Sequence, residues 1–114
     1  MNWFLCLGDD QQILYNIEKP KFTFRKDKKT FNKLPTWTPI CIEVPTRPLD
    51  TIVSWMKDKK ERDIILQYAN RETITESWLL QKATISSCTK RVSRILNSEI
   101  LAIVLKYKWA RKIT

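Results

Sequence analysis

RDIILQYANRETITESWLLQKATISSCTKRVSRILNSEILAIVLKYKWA, from Arg62 to Ala110, is the stretch whose reading decides the fold. It holds three β-like runs, at 63–69, 73–81 and 98–107, with a less clearly patterned segment between the last two. In the second run Ile74, Glu76, Trp78 and Leu80 point one way and Thr73, Thr75, Ser77 and Leu79 the other, the period-two alternation of a sheet with one drier face. The last run is apolar at every position from Ile100 to Leu105, so a strand there offers apolar side chains to both faces. A two-layer fold of this size has one interior, and the second face is expected to meet a helix or a neighbouring subunit.

The wider composition agrees with one β-rich domain over residues 1–114. With 114 residues and 43% hydrophobic content the chain suits a single core, and five tryptophans, Trp3, Trp37, Trp55, Trp78 and Trp109, supply bulky anchors for a core or an interface. No apolar run approaches the length of a membrane span, and no membrane partner is expected. The opening NWFLCLG has no basic segment before it and meets Asp9 and Asp10 at once, which argues against a signal peptide and for folding in a cytoplasm. Three cysteines, Cys6, Cys41 and Cys88, without any histidine, fit neither a disulfide framework nor a zinc site, and buried free thiols are expected. The formal net charge of +9 is large for this length. It points to solubility, to nucleic acid or to an acidic protein partner, and like-charged subunits would need their basic groups paired or screened.

Before the deciding stretch, 3–7 and 12–17 read as two strands joined around Gly8, the only glycine in the chain. Residues 19–31 follow as a strand, with Phe22 and Phe24 on one face, running into a charged loop. At 38–44, Ile40, Ile42 and Val44 face together, and Pro39 places that strand at an edge or marks its beginning. One helix is predicted at about 48–59, capped by Thr46, with Asp50 near its positive end and Lys57 and Lys59 near its negative end. Leu49, Ile52, Val53 and Met56 form its buried stripe, and Trp55 flanks that stripe, sealing its rim or facing a partner. Asn70-Arg71 turns 63–69 into 73–81 as a hairpin; 84–88 continues the sheet edge; 89–96 reads equally as strand or short helix; Arg111-Lys112 is a basic tail.

Chemistry is hard to place. The commonest general base is missing, and one glycine cannot build a phosphate-cradling loop. Cys88 beside Lys90 and Arg91 has the setting of a thiol with a lowered pKa, yet nothing supplies a base or an oxyanion hole, so no enzyme and no cofactor or metal is expected. Basic and aromatic residues at 19–33 suit either a core strand with a solvated loop or a sheet that holds single-stranded nucleic acid.

IILQYANRETITESWLLQKATI and NSEILAIVLKYKWA, with Trp78, Leu80, Glu99, Leu105 and Tyr107 in place, resemble the tail tube proteins of contractile-tailed bacteriophages and the related Hcp-like ring proteins. Upstream, KTFNKLPTWTPICIEV resembles the family's tryptophan before the strand that leads to the helix, so the resemblance covers roughly residues 20–110. The family's glycine after the Trp-x-Leu strand is replaced around Lys82, and its acidic segment before the closing strand is here the basic TKRVSRILNSE. The resemblance implies a mainly β fold, a sandwich or barrel-like domain of antiparallel strands with one flanking helix. It implies six copies in a ring, stacked into a channel for DNA passage, with sheath or baseplate proteins as partners, transient genomic DNA in the lumen, and a place in the virion after assembly in the host cytoplasm. Trp55, Trp78, Ile100, Ala102 and Val104 are then the expected subunit contacts. Arg25, Lys26, Lys28, Lys29, Lys90, Arg91 and Arg94 are the expected basic contacts with acidic protein or passing DNA. The other function in view is a small basic β protein that binds single-stranded nucleic acid.

Overall fold

The computed structural model describes the backbone of residues 1–26 and 33–114, and the side chains of 1–24 and 36–114. In chain order the elements are β1 (Asn2–Leu7), β2 (Asp10–Leu14), β3 (Asn16–Ile17), β4 (Lys21–Lys26), β5 (Lys33–Thr38), β6 (Ile40–Val44), α1 (Asp50–Asp58), β7 (Arg62–Ala69), β8 (Ile74–Val92), β9 (Glu99–Lys106) and β10 (Trp109–Lys112). Every strand pair is antiparallel. The protein is therefore mainly β with one helix.

The long strand β8, 19 residues, organises the rest. Its first half pairs with β7 on one flank and β10 on the other, in the sheet β2-β1-β7-β8-β10. Its second half pairs with β9 in the sheet β8-β9-β6-β3. One strand thus belongs to both layers, and the passage between them is a β-bulge. Arg62 stands opposite Ala83 and Ile64 opposite Leu80, so Gln81 and Lys82 face Asp63 alone. Lys82 takes φ +54°, a left-handed conformation that glycine adopts more cheaply. Its N–H donates to Asp63 Oδ1 at 2.9 Å, so that donor has a partner at the bend. The tail-tube resemblance expects glycine around Lys82, and the chain holds a glycine-like conformation there without one.

Expected segments are otherwise extended or divided. The runs at 73–81, 84–88 and the start of 89–96 are one strand, and the basic tail is β10, whose Trp109 and Ala110 stand opposite Gln81 and Leu80. The N-terminal hairpin turns at Gly8 (φ +60°) in the first position of a two-residue loop, as a type II′ turn requires. The expected second strand is broken at Tyr15, where the chain leaves β1 for β6.

Between the sheets lies the core, formed by Leu5, Leu14, Ile40, Ile42, Val44, Ile64, Leu66, Leu80, Ile85, Ile103 and Leu105, with Ile52 and Trp55 from α1. The helix differs from expectation in two ways. Thr46 does not cap it. Leu49 is the N-cap without a side-chain bond, and the Leu49 N–H instead donates to Gln12 Oε1 at 2.7 Å, a polar group of β2 that is itself buried. Nor does Trp55 flank the buried stripe: it is 1% exposed, its indole N–H donates to Lys60 O at 2.7 Å, and Leu49 is the side chain left in solvent. A ring system removes more apolar surface from water than leucine, and the indole N–H needs a partner once buried, which Lys60, just past the end of the helix, provides.

The two-sided apolar strand β9 is also resolved inside one chain. Ile103 and Leu105 enter the core, while Ile100 and Ala102, on the opposite face, are 0% and 6% exposed. Arg91 stands opposite Ile100, and Thr89 and Glu43 flank Ala102. The Arg91 guanidinium meets Glu43 Oε1 at 2.8 Å on that face. The second face therefore does not require a helix or another subunit, as the sequence pattern suggested.

Candidate assembly surfaces

One flank of β8 is left without a partner. β9 and β10 keep to the same flank, since Lys106 opposite Thr84 continues in register into Trp109 opposite Gln81. β7 occupies the other flank only as far as Ala83. From 84 to 92 that second flank has no strand beside it among the described residues. In an antiparallel ladder alternate residues turn both N–H and C=O away from the partner, so this flank presents a row of ready backbone donors and acceptors. A long open edge templates pairing with another chain unless it is covered.

A sheet face adds to this. In register across β2, β1, β7 and β8 lie Ile13, Phe4, Gln67 and Ser77, and beside them Gln11, Cys6, Ile65 and Leu79. None carries a charge, in a chain where 29% of residues do. Arg111 on β10 marks the border. Phe4, Ile65 and Leu79 are half-buried. Cys6 Sγ donates to Gln67 Oε1 at 3.1 Å, a neutral pairing within the face.

β4 and β5 form a separate two-stranded sheet. Two strands alone are marginal in water, so this arm depends on its anchor. Phe24, Phe22, Trp37 and Tyr107 make a ladder with ring centroids 4.9, 5.2 and 6.0 Å apart in turn. At the inner end Tyr107 OH donates to Thr38 O at 2.7 Å, and burial pushes its pKa up to about 12. The outer end is open, Phe24 being 61% exposed, so Phe22 and Phe24 are not core side chains.

The expected contact residues do not gather into one surface. Trp55, Ile100 and Ala102 are buried within the chain, Val104 is partly covered, and the Trp78 indole N–H donates to Glu76 Oε2 at 2.7 Å. That bond, more than the Lys19 ammonium, holds the Glu76 carboxyl below the usual range. Of the basic set, Lys28 and Lys29 lie outside the described residues, and Arg25 and Lys26 are placed on β4 by backbone alone. Lys90 approaches Glu99 at 3.8 Å and Arg91 is engaged by Glu43. Arg94 has no carboxylate partner among the described residues; it sits on the turn between β8 and β9 with exposed Val92, Ile95 and Leu96. The interleaving of basic and apolar residues at 89–96 was the sequence signal for this patch, and only the hairpin geometry turns it outward.

The thiols differ from expectation too. Cys6 and Cys41 are half-buried and Cys88 is exposed. Burial raises all three thiol pKa values; at Cys41 the nearby Arg91 opposes that rise without reversing it. Cys88 is thus not an activated thiolate despite Lys90 and Arg91 nearby in sequence.

No protein-family model matches this sequence, and no curated protein matches it by sequence. Solved structures do match. Hcp1 from Flavobacterium johnsoniae superposes with a TM-score of 0.73 at 11% identity, covering 99% of this chain and 95% of that one. The chain has the Hcp and tail-tube fold. The anti-feeding prophage cap, described as the tube-terminating cap, gives a TM-score of 0.67 at 17% identity, over 99% of this chain and 88% of the other. The sheath/tube terminator of the PVC extracellular contractile injection system gives 0.65 at 14% identity, over 99% and 94%. The likeness in fold therefore runs across nearly the whole of this chain and most of each of the others. The departures from the family resemblance at Lys82 and at 89–99 do not prevent the chain from taking this fold.

Proposed function

We propose that residues 1–114 form one non-catalytic ring subunit of a contractile injection or phage tail tube, six copies joining edge to edge around a channel and successive rings stacking along it. The observation that carries this reading is the unpaired flank of β8 at 84–92, in a fold shared with tube and tube-terminator proteins. A ring of copies covers such an edge by giving each subunit a neighbour's strand. The uncharged face of β2, β1, β7 and β8 supports the same reading: in a chain of net charge +9, like subunits approach most cheaply where neither brings a charge. Sheath, baseplate or cap proteins are the further partners. DNA or other cargo passing the lumen is a transient one, and the assembled particle is the site of action.

Purified protein should show rings by negative-stain electron microscopy and a corresponding mass by sedimentation. Monomers alone, both in concentrated samples and in the native particle, would sink the proposal. A second reading has one observation in its favour, the exposed Phe22 and Phe24 beside Lys21, a shelf on which bases could stack. It requires single-stranded oligonucleotide binding that weakens steeply with salt and is lost when both phenylalanines become alanine.

A further inference from the structure

The turn between β8 and β9 is ordered before it meets anything. Ser93 N–H donates to Ser98 O and Asn97 N–H to Ser93 O, each at 2.8 Å, and Leu96 N–H to Ser93 Oγ at 3.2 Å. Asn97 closes it at φ +52°, which asparagine tolerates better than most residues. From this fixed loop Val92, Ile95 and Leu96 project, Ile95 being 79% exposed. Apolar side chains on a pre-ordered turn lose water on docking at little further cost in chain entropy.

At the other end of β8 lies a concavity of about 590 Å³. Met1, Phe4, Ala69 and Ile74 give it apolar walls, and Glu72 and Arg71 stand on its rim. Asn70 Oδ1 accepts from the N–H groups of Glu72 and Thr73, which fixes the rim. Glu72 has no cationic partner among the described residues.

We propose that the β8–β9 turn of one copy seats in the Met1–Phe4–Ile74 concavity of a second copy, Ile95 and Leu96 entering the apolar part and Arg94 meeting Glu72. This deepens the ring proposal and rests on it, naming the contact by which one ring stacks on the next. Knob and concavity are different surfaces separated by the length of β8, so one molecule cannot satisfy both by itself. A contact between two different patches is head-to-tail, and it repeats as an open stack wherever its rotation does not close into a ring. Nucleic acid fits the knob less well. Lys90 and Arg91 are already engaged by Glu99 and Glu43, leaving Arg94, and aliphatic side chains offer no face for base stacking.

The test uses the full chain, by sedimentation and electron microscopy over a range of concentrations, with Ile95→Asp, Arg94→Glu, Glu72→Arg and the double variant Arg94→Glu with Glu72→Arg. All of these positions are exposed, so rings and thermal unfolding should remain as in the wild type. Ile95→Asp should raise the concentration needed for stacking about tenfold or more. Each single charge reversal should weaken stacking, and the double variant should recover it. Three results would overturn the proposal while leaving the ring standing: Ile95→Asp rings that stack like the wild type, wild-type rings that never stack, or a double variant weaker than either single one. An oligonucleotide shift abolished by Arg94→Glu, with stacking unchanged, would assign the turn to nucleic acid instead. Absence of rings in the wild type would remove the ring reading and this proposal together.

Discussion

Replacing Tyr107 by phenylalanine tests the anchor of the β4–β5 arm with a pH signature that plain loss of packing cannot imitate. At neutral pH the change removes the hydroxyl bonded to Thr38 O at 2.7 Å and leaves the ring contact with Trp37 at 6.0 Å in place. The expected cost is about 1 kcal/mol, the usual net value of one such bond. At high pH the sign turns. Tyr107 is 7% exposed, and burial moves the phenol from its ordinary value of 10.0 to about 12 in the folded state. Between these values the unfolded chain has released the proton while the folded chain still holds it. The unfolded state then binds fewer protons, and stability falls as pH rises through that window. The wild-type loss reaches about 1.4 kcal/mol near pH 11 and about 2.7 kcal/mol beyond pH 12, since each tenfold difference in proton affinity between the two states is worth about 1.36 kcal/mol. Tyr107→Phe has no such proton to lose, so the two stability curves should cross at about pH 11. Lysine titration affects both proteins alike and cancels in the difference. Urea unfolding of the two proteins from pH 8 to 12 measures it directly. A difference in stability that stays constant across that range would refute the proton-holding Tyr107, and no difference at neutral pH would refute the tie between the arm and the body.

Other predictions rest on packing and backbone geometry. Leu105→Ala, at a position with no solvent exposure, should cost about 2–5 kcal/mol in denaturant unfolding. Val104→Ala, on the other face and only partly covered, should cost less than about 1.5 kcal/mol. Lys82→Pro should destabilise by about 3 kcal/mol or more, because proline cannot adopt φ +54° and removes the N–H held by Asp63. Lys82→Gly should lie within about 1 kcal/mol of wild type, relief of the left-handed backbone offsetting the added freedom of the unfolded chain. Comparison of the two midpoints in urea checks the pair.

Much of the β architecture was legible because strand alternation is local. Ile74 to Leu80, and Ile40 to Val44, declare their faces within a few residues, and the single glycine could be assigned to a turn from its freedom of φ alone. The helix was legible in position and less so in its buried face. Trp55 lies next to the periodic stripe, and its burial depends on a carbonyl, Lys60 O, that the chain supplies only after the helix ends. The continuity of β8 was hidden because Gln81-Lys82 reads as a polar break; the structure carries the strand through it by placing two residues against Asp63.

The sequence by itself determined a β-rich chain with one helix and a resemblance to tube proteins, because those depend on the order of apolar and polar residues along short segments. Which surfaces remain open was decided only in three dimensions. The doubly apolar β9, which pointed to a neighbour, already has Ile100 and Ala102 buried within one chain, whereas the unpaired 84–92 flank of β8 carries no mark in its composition. Backbone hydrogen-bonding groups are the same for nearly every residue, so whether they have partners is a property of how strands are arranged and not of which side chains they bear.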